Sequence, residues 1–139
     1  WILLTNFQNY VEKFAENFET QVYGKGGPMT LATNNKGLTI INFGIGSSNA
    51  ATIMDLLVAC NPKGVLFLGK CGGLKETSEI GHFILPIAAV RGEGTSHDYF
   101  PSEVPALPSF KLHKFVSEKI IEKGLEYRTG VIYTTNRRV

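Results

Sequence analysis

Gly64-Val65-Leu66-Phe67-Leu68-Gly69-Lys70-Cys71-Gly72-Gly73 decides how the chain is read: an apolar run that ends abruptly in a glycine-rich turn. Val65 to Leu68 is too short for a helix and apolar at every position, which predicts a strand buried in the middle of a sheet. The turn Gly69 to Gly73 follows at its carboxyl end, where open α/β sheets bind their ligands. Glycines at 69, 72 and 73 let the main chain approach a ligand with no side chain in the way. A tight turn whose glycines only relieve strain would have the same sequence, so this stretch alone leaves both readings open.

Before it, Trp1 to Thr5 (WILLT) predicts a buried strand. Phe7, Tyr10, Val11, Phe14 and Phe18 then fall on one helix face, with Thr5 or Asn6 placed to cap it. The turn Gly24 to Pro28 leads into strands at Met29–Thr33 and Leu38–Phe43, joined by Asn34 to Gly37 as an antiparallel hairpin. The second of these enters Gly44-Ile45-Gly46-Ser47-Ser48-Asn49 and a helix to about Ala59. Ala50, Ala51, Ile53, Met54, Leu56, Leu57 and Val58 make that helix apolar around most of its circumference, which predicts cover on more than one side. Strand, Gly-x-Gly and helix start together place free N–H groups where an anion can bind, although the same motif is common in plain turns.

After it, His82 to Val90 predicts a strand in which Pro86 marks an edge or a bulge. The polar stretch Arg91 to Ser109 is a long loop, of a length that is usually functional. Leu112, Phe115, Val116 and Ile120 mark an amphipathic helix with Ser109 near its start and Gly124 as its stop, and Tyr127 to Thr135 is a last strand. Strands alternating with helices, with one hairpin inserted, predict a single α/β domain of three layers over residues 1–139.

The bulk properties exclude several classes. A net charge of +2 is too small to argue for nucleic acid or a membrane surface as partner. Cys60 and Cys71 are the only cysteines, without CxxC spacing, so a reduced cytoplasmic protein without a structural zinc site is expected. No apolar run approaches the roughly 18 residues of a membrane span, and the start lacks a basic leader. Trp1 opens inside an apolar run and Val139 follows Arg137-Arg138 directly, so both ends are expected to be cuts through a longer protein.

Candidate chemistry is spread over several places. Arg91, Glu93, Ser96, His97 and Asp98 form a mixed-charge loop that could clamp a phosphate, reach across a subunit interface, or simply satisfy its own backbone. Lys70, in a glycine turn, faces either a ligand or solvent. Cys71 has no local histidine to activate it and is expected to be a small buried residue. One of Arg137 and Arg138 is placed to meet an anion, while His82 and His113 are expected to be structural or surface residues. No Ser-His-Asp or paired-carboxylate arrangement is defensible.

The blocks LLTNFQNY, INFGIGSSNAATIMDLL, VLFLGKCGGL, ILPIAAVRGEGTSHDYFPSEVPALPSF and RTGVIYTTNRRV closely resemble the AMP nucleosidases of the nucleoside phosphorylase and nucleosidase superfamily. The resemblance implies hydrolysis of AMP to adenine and ribose 5-phosphate by a homo-oligomer, typically a hexamer, with no metal or organic cofactor. It also implies a central mixed sheet flanked by helices, here incomplete at the C-terminus. Phosphorylases of the superfamily hold inorganic phosphate with arginines; at two of those positions this chain has Tyr10 and Phe67, and near the third only Lys25 among glycines. Loss of those bidentate contacts favours water as nucleophile.

By the same resemblance Lys70, Cys71, Gly72, Gly73 and Arg138 line the base and ribose pocket, and Asn6, Gly44, Gly46, Ser47 and Arg91 lie toward its phosphate end. The family's catalytic acid, an aspartate, is expected beyond Val139, since neither Asp55 nor Asp98 matches its motif. This chain alone is then expected to be inactive and, with a sheet cut halfway, prone to aggregate. Two alternatives stay open: a purine nucleoside phosphorylase and a non-catalytic nucleotide-binding module.

Overall fold

A computed structural model describes residues 1–137. The chain packs as two compact units, Trp1–Cys71 and the stretch from Gly72 onward.

The first unit holds β1 (Ile2–Thr5), α1 (Gln8–Asn17), β2 (Thr30–Thr33), β3 (Thr39–Asn42), α2 (Ser47–Val58) and β4 (Val65–Leu68). Its four strands lie in the order β2-β3-β1-β4. β1 runs parallel to both β3 and β4, and β2 is antiparallel to β3, so the sheet is mixed. The period of two along each strand divides the apolar residues between the faces. On one face Ile40 and Ala32 pack with Val11, Phe14 and Ala15 of α1. On the other, Leu4, Ile41 and Phe43 pack with Ile53 and Leu57 of α2. Helix, sheet and helix are the three layers predicted.

The hairpin forms as expected. Asn34 Oδ1 accepts the N–H groups of Lys36 and Leu38 at 2.9 and 3.0 Å, and Gly37 turns the chain at φ +77°. This side chain-to-backbone bonding is what asparagine offers a turn.

Three local expectations are corrected. Val65–Leu68 is a terminal strand of this sheet, and β1 is the strand with a parallel neighbour on each side. An apolar run reports burial of its faces but not which strands flank it, and Phe67 is 55% exposed. Helix α1 starts at Gln8 with Phe7 at the cap position, and neither Thr5 nor Asn6 caps it; instead Thr5 Oγ1 accepts the Phe7 N–H at 3.2 Å. Helix α2 buries only the Ile53 and Leu57 stripe and leaves Met54, Leu56 and Val58 exposed.

The second unit contains β5 (Phe83–Ile84), β6 (Ala88–Gly92), a 3-10 turn (Thr95–Asp98), α3 (Phe110–Glu122), β7 (Tyr127–Arg128) and β8 (Val131–Thr135). β5 pairs with β7 and β6 with β8, both parallel. The two strands predicted here as continuous are each broken. Pro86 has no N–H to give, and the chain steps past it with Leu85 N–H on Arg128 C=O and Ile87 N–H on Gly130 C=O. The predicted loop also starts later than expected, because Arg91 and Gly92 still belong to β6.

Candidate functional site

The chain leaves β1 to build β3 on one side, then crosses by α2 to β4 on the other. The register sets Thr5 level with both Asn42 and Leu68. The segments that leave these strands, Asn6-Phe7, Phe43 to Gly46 and Gly69-Lys70, therefore emerge side by side. This is the point where strand order reverses, the usual place for a ligand in an open α/β sheet.

Each segment is held by identifiable contacts. Asn42 accepts the Gly44 N–H on Oδ1 at 3.0 Å and donates through Nδ2 to Gln8 Oε1 at 3.1 Å. Gln8 Oε1 also accepts the Thr30 hydroxyl at 2.5 Å, so one amide ties α1, β2 and β3 to the glycine loop. Gly44 (φ +81°) and Gly46 (φ +109°) take backbone conformations that L side chains rarely adopt, which is why this loop needs them. A Cβ on Gly44 would also lie 3.2 Å from Asn49 Nδ2, which is donating to Ile45 C=O. Gly46 stands at the cap of α2 with no side chain capping the helix, whose first residue is Ser47. The N-terminal N–H groups of α2 thus receive no capping side chain from that position.

Lys70 Nζ lies 4.4 Å from the centre of the Phe7 ring and 6.0 Å from that of Tyr10. The two rings are themselves in contact, with centroids 5.4 Å apart. Asn6 Oδ1 is buried and has no hydrogen-bond partner. Phe67 packs on Phe43, with centroids 6.0 Å apart.

The first unit accordingly places Asn6, Gly44, Gly46, Ser47 and Lys70 at the same end of its sheet. Cys71 closes that unit as an exposed free thiol rather than the buried residue expected, because the turn after β4 carries it outside the core. Gly72 and Gly73 open the second unit; a Cβ on Gly73 would collide with Ser78 Cβ at 2.4 Å, so the turn is closed there by contact. Arg138 lies outside the described residues. Gln8, Thr30 and Asn42 were not anticipated. The available signal was a polar residue opening β2 (Thr30) and one closing β3 (Asn42), which pair at the end of the sheet next to the glycine loop.

In the second unit, Arg91 Nη2 donates to the carbonyls of Phe100 and Pro101 at 3.1 and 2.6 Å and so pins the loop that follows β6. Glu93 accepts the Ser96 N–H at 2.9 Å and fastens the start of the 3-10 turn. Burial of its carboxyl pushes the pKa up, but hydrogen bonds from Ser96 and from its own backbone, with His97 nearby, outweigh this and leave it below the ordinary glutamate value. A carboxyl depressed in the folded state contributes stability that is present above its unfolded pKa and lost as the pH falls through the folded one. Glu93→Gln should therefore flatten the acid limb of a Tm-against-pH curve as the pH falls below the ordinary glutamate range. A variant curve parallel to the wild type would show that the Glu93 charge does not fasten this loop. Among the described residues no group of three His, Cys, Asp or Glu side chains could hold a metal ion, and no helix is long and apolar enough to cross a membrane.

The phosphorylase superfamily model matches residues 2–139. The chain belongs to that superfamily. It is 33% identical over 117 residues to AMP nucleosidase from Escherichia coli K12, an alignment covering 78% of this chain and 24% of that enzyme. It is 29% identical over 99 residues to uridine phosphorylase from Thermococcus kodakarensis, covering 71% of this chain and 36% of the relative. Among superfamily members of known structure, AMP nucleosidase from Bacteroides thetaiotaomicron superposes with a TM-score of 0.96 at 57% identity, over 99% of this chain and 60% of that one. Purine nucleoside phosphorylase from Toxoplasma gondii, in complex with immucillin-H, superposes with a TM-score of 0.87 at 21% identity, over 99% of this chain and 58% of its own; that likeness speaks for the fold alone. The chain thus spans about a quarter of the Escherichia coli enzyme's length.

Proposed function

We propose that this chain carries the nucleotide-binding edge of an enzyme that hydrolyses the N-glycosidic bond of AMP, giving adenine and ribose 5-phosphate. The observation that carries the reading is 57% identity along 99% of the chain to a solved AMP nucleosidase. Tyr10 and Phe67 add to it. Tyr10 lies in α1 against Phe7 and Phe67 in β4 against Phe43, and neither carries the guanidinium that would hold a phosphate nucleophile bidentately. In the reaction proposed, the bond from C1′ to the base nitrogen breaks and its electron pair leaves with adenine, which takes a proton from an acid. Water bonds to the cationic C1′ and gives up a proton. The same reading makes the protein a cytoplasmic homo-oligomer acting on a small molecule without metal or organic cofactor.

Adenine release from AMP, followed with and without inorganic phosphate, tests the proposal. Equal rates, with ribose 5-phosphate as co-product, are expected. Release that requires phosphate, with ribose 1-phosphate formed from nucleosides, would make the enzyme a phosphorylase. Tight AMP binding without turnover would make it a nucleotide-binding module.

A further inference from the structure

The functional reading leaves open which group distinguishes a nucleotide from a nucleoside. We propose that Lys70 does so, as the cation that meets the 5′-phosphate; this rests on the AMP reading above.

The first argument is position. Lys70 follows β4 at the end of the sheet where β1 and β3 also end, next to the Asn6-Phe7 segment that leaves β1. The second is its state of pairing. Its ammonium lies over the Phe7 and Tyr10 rings and forms no ion pair with a carboxylate among the described residues. Ring faces orient a cation, but they do not neutralise it as an anion would. A lysine stem laid on two aromatic rings is also less free to swing than one in solvent, so less order is lost when a ligand arrives.

The third argument is what surrounds it. The buried, unpartnered Asn6 Oδ1 is an acceptor that asks for a donor, and a sugar hydroxyl is one. An anion and a hydroxyl on one small molecule describe a sugar phosphate. Two arginines of the described residues have local duties. Arg91 binds the carbonyls of Phe100 and Pro101, and Arg128 Nη1 binds the carbonyl and hydroxyl oxygens of Thr77.

The test compares AMP with adenosine in the complete enzyme and in its Lys70→Met and Lys70→Arg variants. Methionine keeps an unbranched stem on the rings and removes the charge. The ratio of kcat/KM for AMP to that for adenosine should fall about 10- to 100-fold in Lys70→Met, the loss of one charge-assisted contact. Lys70→Arg should recover most of that ratio. An unchanged ratio in Lys70→Met, or a fall that Lys70→Arg does not recover, would overturn the assignment. Calorimetric Kd values for AMP and adenosine separate this from the reading it rests on. Should the wild type hydrolyse neither, the AMP-hydrolysis reading fails, and the ratio of the two Kd values still decides for or against Lys70.

Discussion

Phe14→Ala should lower the unfolding free energy by about 3–5 kcal/mol, the usual cost of removing a buried aromatic side chain and leaving part of its cavity. Phe14 is 6% exposed and packs with Val11, Ala15, Ala32 and Ile40, against the flanking Leu3 and Leu38. It is therefore central to the only layer that α1 shares with the sheet. A domain is stable by roughly 5–15 kcal/mol, so this one change should take a large part of the total. The measurement is the urea midpoint at unchanged slope. The effect should reach the site, since the same helix carries Gln8 and Tyr10 and begins next to Phe7, over which Lys70 lies. Phe18→Ala is the control. Phe18 contacts the Phe14 ring at 4.6 Å between centroids but is 47% exposed, so its truncation should cost less than half as much. Equal costs at the two positions would show that α1 does not dock by the face described.

Phe14 also marks what was legible in the sequence. Its helix was visible because Val11 and Phe14 repeat at helical spacing, and a repeat of that kind states which face is buried. In the structure the neighbours Ile40 and Ile41 of β3 fall on opposite faces, as the period of a strand requires. Neighbours in a sheet carry no such signal. Val65 to Leu68 is apolar throughout, and nothing within four residues says whether one strand or two will flank it; the answer depended on where β1 and β3 pair. Helix α2 failed for a related reason. Its apolar residues exceed what one sheet face can cover, so composition overstated burial at Met54, Leu56 and Val58.

The site divides in the same way. The Gly44–Gly46 loop was visible because strand, Gly-x-Gly and helix is a local pattern, and the structure gives both glycines positive φ. The residues that hold the loop were missed because their partners are distant in the chain: Gln8 meets Asn42 across 34 positions and Thr30 across 22. Arg91 shows how a local reading can leave several partners open. A guanidinium in a polar loop suggests an anion, yet its observed partners are carbonyls nine and ten residues further on.

Asn42→Leu should lower kcat/KM for AMP by about 10- to 100-fold while the fold survives, because a partly buried hydrogen bond lost on one side costs about 1–3 kcal/mol. Leucine has the same number and branching of side-chain heavy atoms, with bulkier ends, so the change chiefly removes hydrogen bonds. The Gly44 N–H then loses its acceptor and Gln8 Oε1 keeps only the Thr30 hydroxyl. The loop from Gly44 to Ser47 would no longer be fixed to the end of β3, and the start of α2 would be displaced with it. Asn42→Asp separates the two bonds. Aspartate still accepts the Gly44 N–H but cannot donate to Gln8 Oε1, and it sets an acceptor against an acceptor there. Activity near wild type in Asn42→Asp would show that the Gly44 bond alone positions the loop. Activity as low as in Asn42→Leu would show that the tie to Gln8, and through it to α1 and β2, is the part that counts. If Asn42→Leu itself kept full kcat/KM with AMP, the glycine loop would hold its shape without Asn42, and its two positive-φ glycines would suffice.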